Sequence, residues 1–214
     1  MNVFMGTYWE VLKVQHETIG LDLVIAEDKP TSSNVIELAQ QLGTNLEVIS
    51  ASIPLAQVIP DTCEVAVVGS FGRILPQAII DNCQSVVNFH PGIVQEIRGR
   101  HTIPVNARRG DAFMGITSHL IENEQIDAGP ILAQIRIPID YDANFDRNHL
   151  RLRSYLGTMA LDIFKAYMAT GRFVGVPWVP TPESYHRPLT PKELHEVLDA
   201  ERLADCILGS KNSP

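Results

Sequence analysis

The sequence predicts an α/β protein: an open, mostly parallel sheet covered by helices on both faces, with a helical extension at the C-terminal end. Three observations point there. In the first 90 residues, short apolar runs alternate with segments of helical spacing. The runs are rich in Val and Ile and carry little polar alternation, as strands buried on both faces do. A long amphipathic stretch near residues 146–170 is then followed by a Pro- and aromatic-rich arm and a capped helix.

The elements read in order as follows. NVFMG at 2–6 is the first strand and LDLVIAE at 21–27 the second. VIELAQQLG at 35–43 has the i, i+3, i+4 spacing of a helix and a glycine stop. NLEVI at 45–49, EVAVVG at 64–69 and SVVNF at 85–89 are further strands, with a short helix, LPQAIIDN, at 75–82. GITSHLI at 115–121 and ILAQIRIPI at 131–139 form a strand pair expected to close one sheet edge antiparallel. One helix is expected over about 146–170, with Leu152, Leu156, Met159, Ile163, Phe164 and Tyr167 on its packed face. Residues 174–190, rich in Pro and aromatic residues, form a linker or a covering arm. Thr190, Pro191 and Glu193 are the cap, first-turn proline and capping box of a last helix. These readings divide the chain into a catalytic domain at 1–172 and an arm with its helix at 173–214.

Composition narrows the function classes. The 214 residues carry a formal net charge of −8, which argues against a nucleic-acid partner. Arg98, Arg100, Arg108 and Arg109 cluster in what reads as a loop region, a local anion-binding candidate weighed against an ordinary solvated run. The three cysteines, Cys63, Cys83 and Cys206, are far apart and make no CxxC, so neither a metal knuckle nor a disulfide framework is expected. They read as core thiols of a reducing compartment. No signal peptide and no apolar run long enough to span a bilayer is seen, so a cytoplasmic protein without membrane contact is expected. A homo-oligomer is left open.

The chemistry concentrates in VVNFHPGIVQEIRG, residues 86–99. Asn88 and His90 fall at the carboxyl end of a predicted parallel strand, where open α/β sheets bind ligands, and alternation puts them on one side. Asp127 lies in a Gly/Pro-bounded loop between two strands. If that loop returns to Asn88 and His90, an amide, an imidazole and a carboxylate share one pocket. Such a set suits acyl transfer to nitrogen: Asn88 and His90 donate to a developing oxyanion, while His90 and Asp127 manage protons. No nucleophilic Ser or Cys belongs to it, so direct attack by a bound amine is the natural route. No GxGxxG follows the first strand, which removes a plain dinucleotide-binding dehydrogenase.

The motifs Asn88-Phe89-His90-Pro91, Arg98-Gly99, Gly115-Ile116-Thr117 and Asp127-Ala128-Gly129 together resemble those of the folate-dependent formyltransferases, over about residues 60–140. That family acts on glycinamide ribonucleotide, methionyl-tRNA or nucleotide-linked amino sugars. The resemblance implies a Rossmann-like sheet of the formyltransferase type, with 10-formyltetrahydrofolate as co-substrate and no metal. It implies catalytic roles for Asn88, His90 and Asp127. Phe71, Gly72, Arg73, Ile74 and Leu75 would form one wall of the folate pocket, with Ile121, Glu122, Glu124, Ile126 and Asp127 as the other. His119 matches a histidine beside the site in the glycinamide ribonucleotide branch and is weighed equally as a satisfied strand histidine.

The departures bear on the acceptor. The stretch from Gly115 to Asp127 is one residue longer than the family pattern, and Gly92 stands where a serine is frequent. Gly6-Thr7-Tyr8-Trp9 replaces the phosphate loop of the glycinamide ribonucleotide branch. Tyr8, Trp9, Arg98, Arg100 and His119 are therefore acceptor-binding candidates, with core packing the rival reading for the two aromatics. A large tRNA-binding C-terminal domain is not seen. The expected reaction is formyl transfer to the amine of a small molecule, an amino sugar or nucleotide-linked amino sugar. The alternatives are hydrolysis of the formyl folate, whose enzymes carry a further N-terminal domain, and noncatalytic folate or nucleotide binding.

Overall fold

A computed structural model describes residues 1–208. Seven strands, β1 (Asn2–Gly6), β2 (Leu23–Glu27), β3 (Asn45–Ile49), β4 (Cys63–Gly69), β5 (Cys83–His90), β6 (Phe113–Leu120) and β7 (Ile131–Pro138), form one sheet in the order β3-β2-β1-β4-β5-β6-β7. β1 pairs parallel with β2 and β4, β2 with β3, and β4 with β5. The order reverses between β1 and β4, as in doubly wound sheets. The short link between β6 and β7 leaves no room for a crossover, so that pair runs antiparallel. In keeping with this, the Leu120 N–H donates to Pro130 O at 2.9 Å, while Gly115 lies against Ile135 O.

The helices are α1 (Trp9–Thr18), α2 (Ser33–Leu42), α3 (Gln77–Asp81), α4 (Thr102–Arg109), α5 (Phe145–Arg153), α6 (Leu156–Thr170) and α7 (Pro191–Leu198). α2 stops where predicted, at Gly43, which adopts a left-handed φ of 67° and donates to the carbonyls of Ala39 and Gln40. The predicted capping box of α7 is present: the Thr190 hydroxyl accepts from Glu193 N, and the Glu193 carboxylate accepts from Thr190 N.

Contacts divide the chain into two compact units interleaved in sequence. The first holds residues 1–90, 118–133 and 156–178; the second holds 91–117, 134–155 and 179–214, of which 209–214 lie outside the described residues. In the first unit one apolar layer is built from Val3, Met5, Ile25, Ala66, Val68 and Val86 of the strands, with Ile79 and Ile80 of α3. The ring of Phe89 meets that of Phe164 of α6 edge-on at 6.3 Å. α1 packs on α6. In the second unit Arg98 is buried and pins the arm: its Nε donates to Ser184 Oγ at 2.8 Å and its Nη2 to Thr181 O at 2.9 Å.

Several expectations need correction. The single helix over 146–170 is two, broken at Ser154-Tyr155, where the exposed Tyr155 turns out of the apolar stripe. The region expected to be an arginine-bearing loop contains α4, with Arg108 and Arg109 in its last turn. Pro104 is tolerated there because a first-turn residue has no intrahelical N–H bond to lose. Cys63 and Cys83, though twenty positions apart in sequence, are register partners across β4 and β5. α1 has no counterpart in the sequence reading. Among the described residues no helix is long and apolar enough to cross a membrane.

Candidate active site

β5 carries Asn88 and His90 to its carboxyl end, with Phe89 between them pointing to the opposite face and buried. β6 delivers His119 one residue before it ends. The connection to β7 then brings Asp127 in with a left-handed φ of 47°, a conformation that aspartate tolerates better than most residues. All four side chains belong to the first unit.

They converge on the Asp127 carboxylate. Its Oδ2 lies 3.3 Å from His90 Nδ1, and its Oδ1 lies 3.4 Å from His119 Nε2. The Asn88 amide donates to Asp127 Oδ1 at 3.2 Å and sits 3.0 Å from His119 Nε2. On its other side, His119 Nδ1 is 2.8 Å from Leu120 O. A carbonyl only accepts, so Nδ1 carries a proton, and Nε2 faces both the Asn88 amide and the Asp127 carboxylate. The side chains of His119, His90 and Asp127 are 2%, 4% and 12% exposed, so these bonds act in a medium poorer in water than the surface. The set is one carboxylate between two imidazoles with an amide donor across it. It can donate to a carbonyl oxygen and pass protons, and it holds no hydroxyl or thiol nucleophile.

The two segments expected to wall a folate pocket also meet within the first unit. Residues 71–76 belong to no ladder or helix, so their peptide groups are not consumed by regular structure. Gln77 joins them to the second segment: its N–H donates to Glu124 Oε1 at 2.8 Å and its Nε2 to Glu122 O at 3.3 Å. Gly72 N–H donates to Glu27 Oε2 at 2.9 Å, and Arg73 Nη1 to Ile53 O at 2.7 Å. Leu75 is buried in the core, Phe71 and Ile121 pack half-buried against it, and Ile126 is half-buried. Ile74 stands 62% exposed. An exposed aliphatic side chain beside peptide edges that lie outside any ladder or helix fits a flat heteroaromatic group with an amide-like rim.

The remaining predicted residues are placed as follows. Tyr8 is 3% exposed and packs against Gly69, so it serves the core, whereas Trp9 at the start of α1 is 36% exposed. Arg98 is engaged by the arm and Arg100 is exposed. The sequence reading missed Glu27, Gln77 and Trp178. Trp178 Nε1 donates to Gly129 O at 3.0 Å, bracing the loop just past Asp127. None carries a local sequence signal for its role; each acts through a partner more than 40 residues away.

Comparison with known proteins agrees with this geometry. A family model described as formyl transferase matches residues 24–155. The methionyl-tRNA formyltransferase of Myxococcus xanthus is 30% identical over 185 residues, 78% of this chain and 58% of that protein. The chain thus spans about half the length of the curated relatives it matches. Two solved structures share the fold. An N-formyltransferase from Helicobacter canadensis, in complex with folinic acid and dTDP-3-aminofucose, superposes with a TM-score of 0.69 at 15% identity, covering 95% of this chain and 80% of that one. A formyltransferase from Anoxybacillus kamchatkensis, in complex with UDP-4,6-dideoxy-4-formamido-L-AltNAc and tetrahydrofolate, gives 0.67 at 14% identity, covering 97% and 98%. With a family match across more than half of its length, the chain belongs to the formyl transferase family.

Proposed function

We propose that the protein transfers the formyl group of 10-formyltetrahydrofolate to the amine of a small molecule, an amino sugar carried as a nucleotide. The convergence of Asn88, His90 and His119 on Asp127 carries the reaction class. In this reading the peptide edges of residues 71–75 and 121–127 hold the pterin, and the Ile74 side chain covers its face. The amine attacks as the free base, because an ammonium has no lone pair. As the C–N bond forms, the formyl oxygen becomes an oxyanion that takes hydrogen bonds from Asn88 and from protonated His90. Asp127 holds the imidazolium and accepts, directly or through water, the proton shed by the attacking nitrogen. That proton then goes to the folate nitrogen as the C–N bond to it breaks. Holding both reactants in line supplies the entropic share of the rate.

The sugar acceptor rests on three points. The chain has a net charge of −8, unsuited to a long polyanion. The Gly6-Thr7-Tyr8-Trp9 turn lacks the phosphate loop of the glycinamide ribonucleotide branch. Proteins of the same fold have been crystallised with amino-sugar nucleotides. A second reading, methionyl-tRNA as acceptor, draws on the names of the curated relatives. A panel of nucleotide-linked amino sugars, glycinamide ribonucleotide and initiator methionyl-tRNA, each incubated with 10-formyltetrahydrofolate, separates them by product mass and tetrahydrofolate release. Turnover is expected to be highest on an amino sugar. Higher turnover on either of the other acceptors would overturn the choice, and folate release without a formylated product would favour hydrolysis.

The folate placement has its own test. Ile74→Asp puts a charge where the pterin face would lie. It is expected to weaken calorimetric binding of 5-formyltetrahydrofolate roughly tenfold or more, at unchanged thermal stability because the side chain is exposed. Unchanged affinity would remove Ile74 from the pocket.

A further inference from the structure

Cys63 and Cys83 are twenty positions apart in sequence and are register partners at the starts of the parallel strands β4 and β5. The Cys63 N–H also donates to Asn82 O at 3.0 Å, so the two strands begin in step. Register partners put their side chains on the same face of a sheet, and neighbouring strands lie about 4.8 Å apart. That separation falls within the range of roughly 4.4–6.8 Å between Cα atoms that a disulfide spans. Both thiols are free. Cys63 is buried at 3% exposure, whereas Cys83 is partly open to solvent.

We propose that Cys63 and Cys83 form a two-electron redox site, at the opposite end of β5 from Asn88 and His90, that a peroxide oxidises to a cross-strand disulfide. The two sulfurs divide the work. Interaction with the Cys63 thiol holds the Cys83 thiol below its ordinary pKa, and interaction with Cys83, with burial adding to it, pushes that of Cys63 up. Cys83 is therefore the attacking thiolate, and it is also the one that an oxidant can reach. Its sulfur breaks the O–O bond, becoming a sulfenic acid and, with one proton taken up, releasing one water. The Cys63 sulfur then attacks the sulfenic sulfur: the S–O bond breaks, the S–S bond forms, and the Cys63 proton leaves with the oxygen as a second water. Each sulfur gives up one electron, and the peroxide oxygens gain two.

The test treats the folded protein with hydrogen peroxide, quenches in acid, denatures, alkylates the remaining thiols and maps the peptides by mass spectrometry. The expected product has lost two hydrogen atoms, with one cross-link joining the peptides that contain residues 63 and 83, reversed by a dithiol reductant. Cys206 remains alkylatable. Cys206→Ser should give the same cross-link. In Cys63→Ser, Cys83 has no resolving partner and should advance to the sulfinic acid. Cys83 carried to sulfinic acid in the native sequence, both thiols left alkylatable at peroxide levels that oxidise Cys206, or a cross-link involving Cys206 would each overturn the proposal.

Discussion

Single-turnover formyl transfer is expected to fall roughly 100–1000-fold in Asn88→Ala, and by a similar factor in His90→Ala and Asp127→Asn, the range seen when one preorganised oxyanion donor is removed. Folate binding should change only a few-fold. The difference follows from when the interactions act. Asn88 and His90 meet a neutral formyl oxygen in the ground state and a charged one at the transition state, so their loss lowers turnover more than affinity. Asp127→Asn is the informative exchange at that position. Asparagine keeps the shape and accepts the left-handed φ of 47°, but it loses the charge that faces both His90 Nδ1 and His119 Nε2. Because Asn88, His90 and His119 all approach one carboxylate, the three losses should not multiply: a double variant of Asn88 and Asp127 should be little slower than the worse of its parents. Near-normal rates in all three single variants, each shown to be folded, would sink the catalytic assignment.

The sheet was legible because its strands are Val-rich runs of the right length between helical segments, and each of the seven expected strands is present. What escaped notice did so for physical reasons. α1 buries Val11, Leu12 and Gln15 on its inner face. The glutamine occupies the position where an apolar residue would have completed the i, i+4 pattern; its Nε2 donates to Val3 O at 3.3 Å, while its buried Oε1 has no partner among the described residues. The break between α5 and α6 carries neither proline nor glycine, and the apolar stripe runs through it, so periodicity alone reads one helix. At the site, Asn88, His90 and Asp127 were found by motif. That the Asp127 loop returns to β5 depends on β6 lying beside β5, which no local pattern encodes. His119, read as equally apt for packing, stands 3.0 Å from Asn88 Nδ2. The meeting of Cys63 with Cys83 is a consequence of parallel register, invisible to spacing rules built for local motifs.

Gly129→Ala is expected to be among the most damaging small substitutions outside the catalytic set. A Cβ at this position would lie 1.9 Å from Leu120 O, a backbone atom of the last residue of β6, where real Cβ contacts essentially never fall below 3.0 Å. The carbonyl must retreat by about an ångström, and it is not free to do so cheaply. Leu120 N–H is tied to Pro130 O at 2.9 Å, and Leu120 O is the acceptor that orients His119 through Nδ1 at 2.8 Å. On the far side, Gly129 O is held by Trp178 Nε1 at 3.0 Å. Relief of the clash therefore moves either His119 or the loop that presents Asp127 two residues earlier. Overpacking against backbone of this kind costs about 3 kcal/mol or more, and a displacement near an ångström in a catalytic constellation costs roughly 100-fold in rate. Gly43→Ala separates this effect from simple backbone preference: Gly43 is left-handed at φ 67° with nothing within 4 Å of a Cβ, so it should lose only about 1–2 kcal/mol and retain normal turnover. Urea unfolding midpoints and single-turnover rates of the two variants make the comparison. Equal stability losses, or a Gly129→Ala protein that turns over normally, would show that the Leu120 carbonyl can move without disturbing His119 or Asp127.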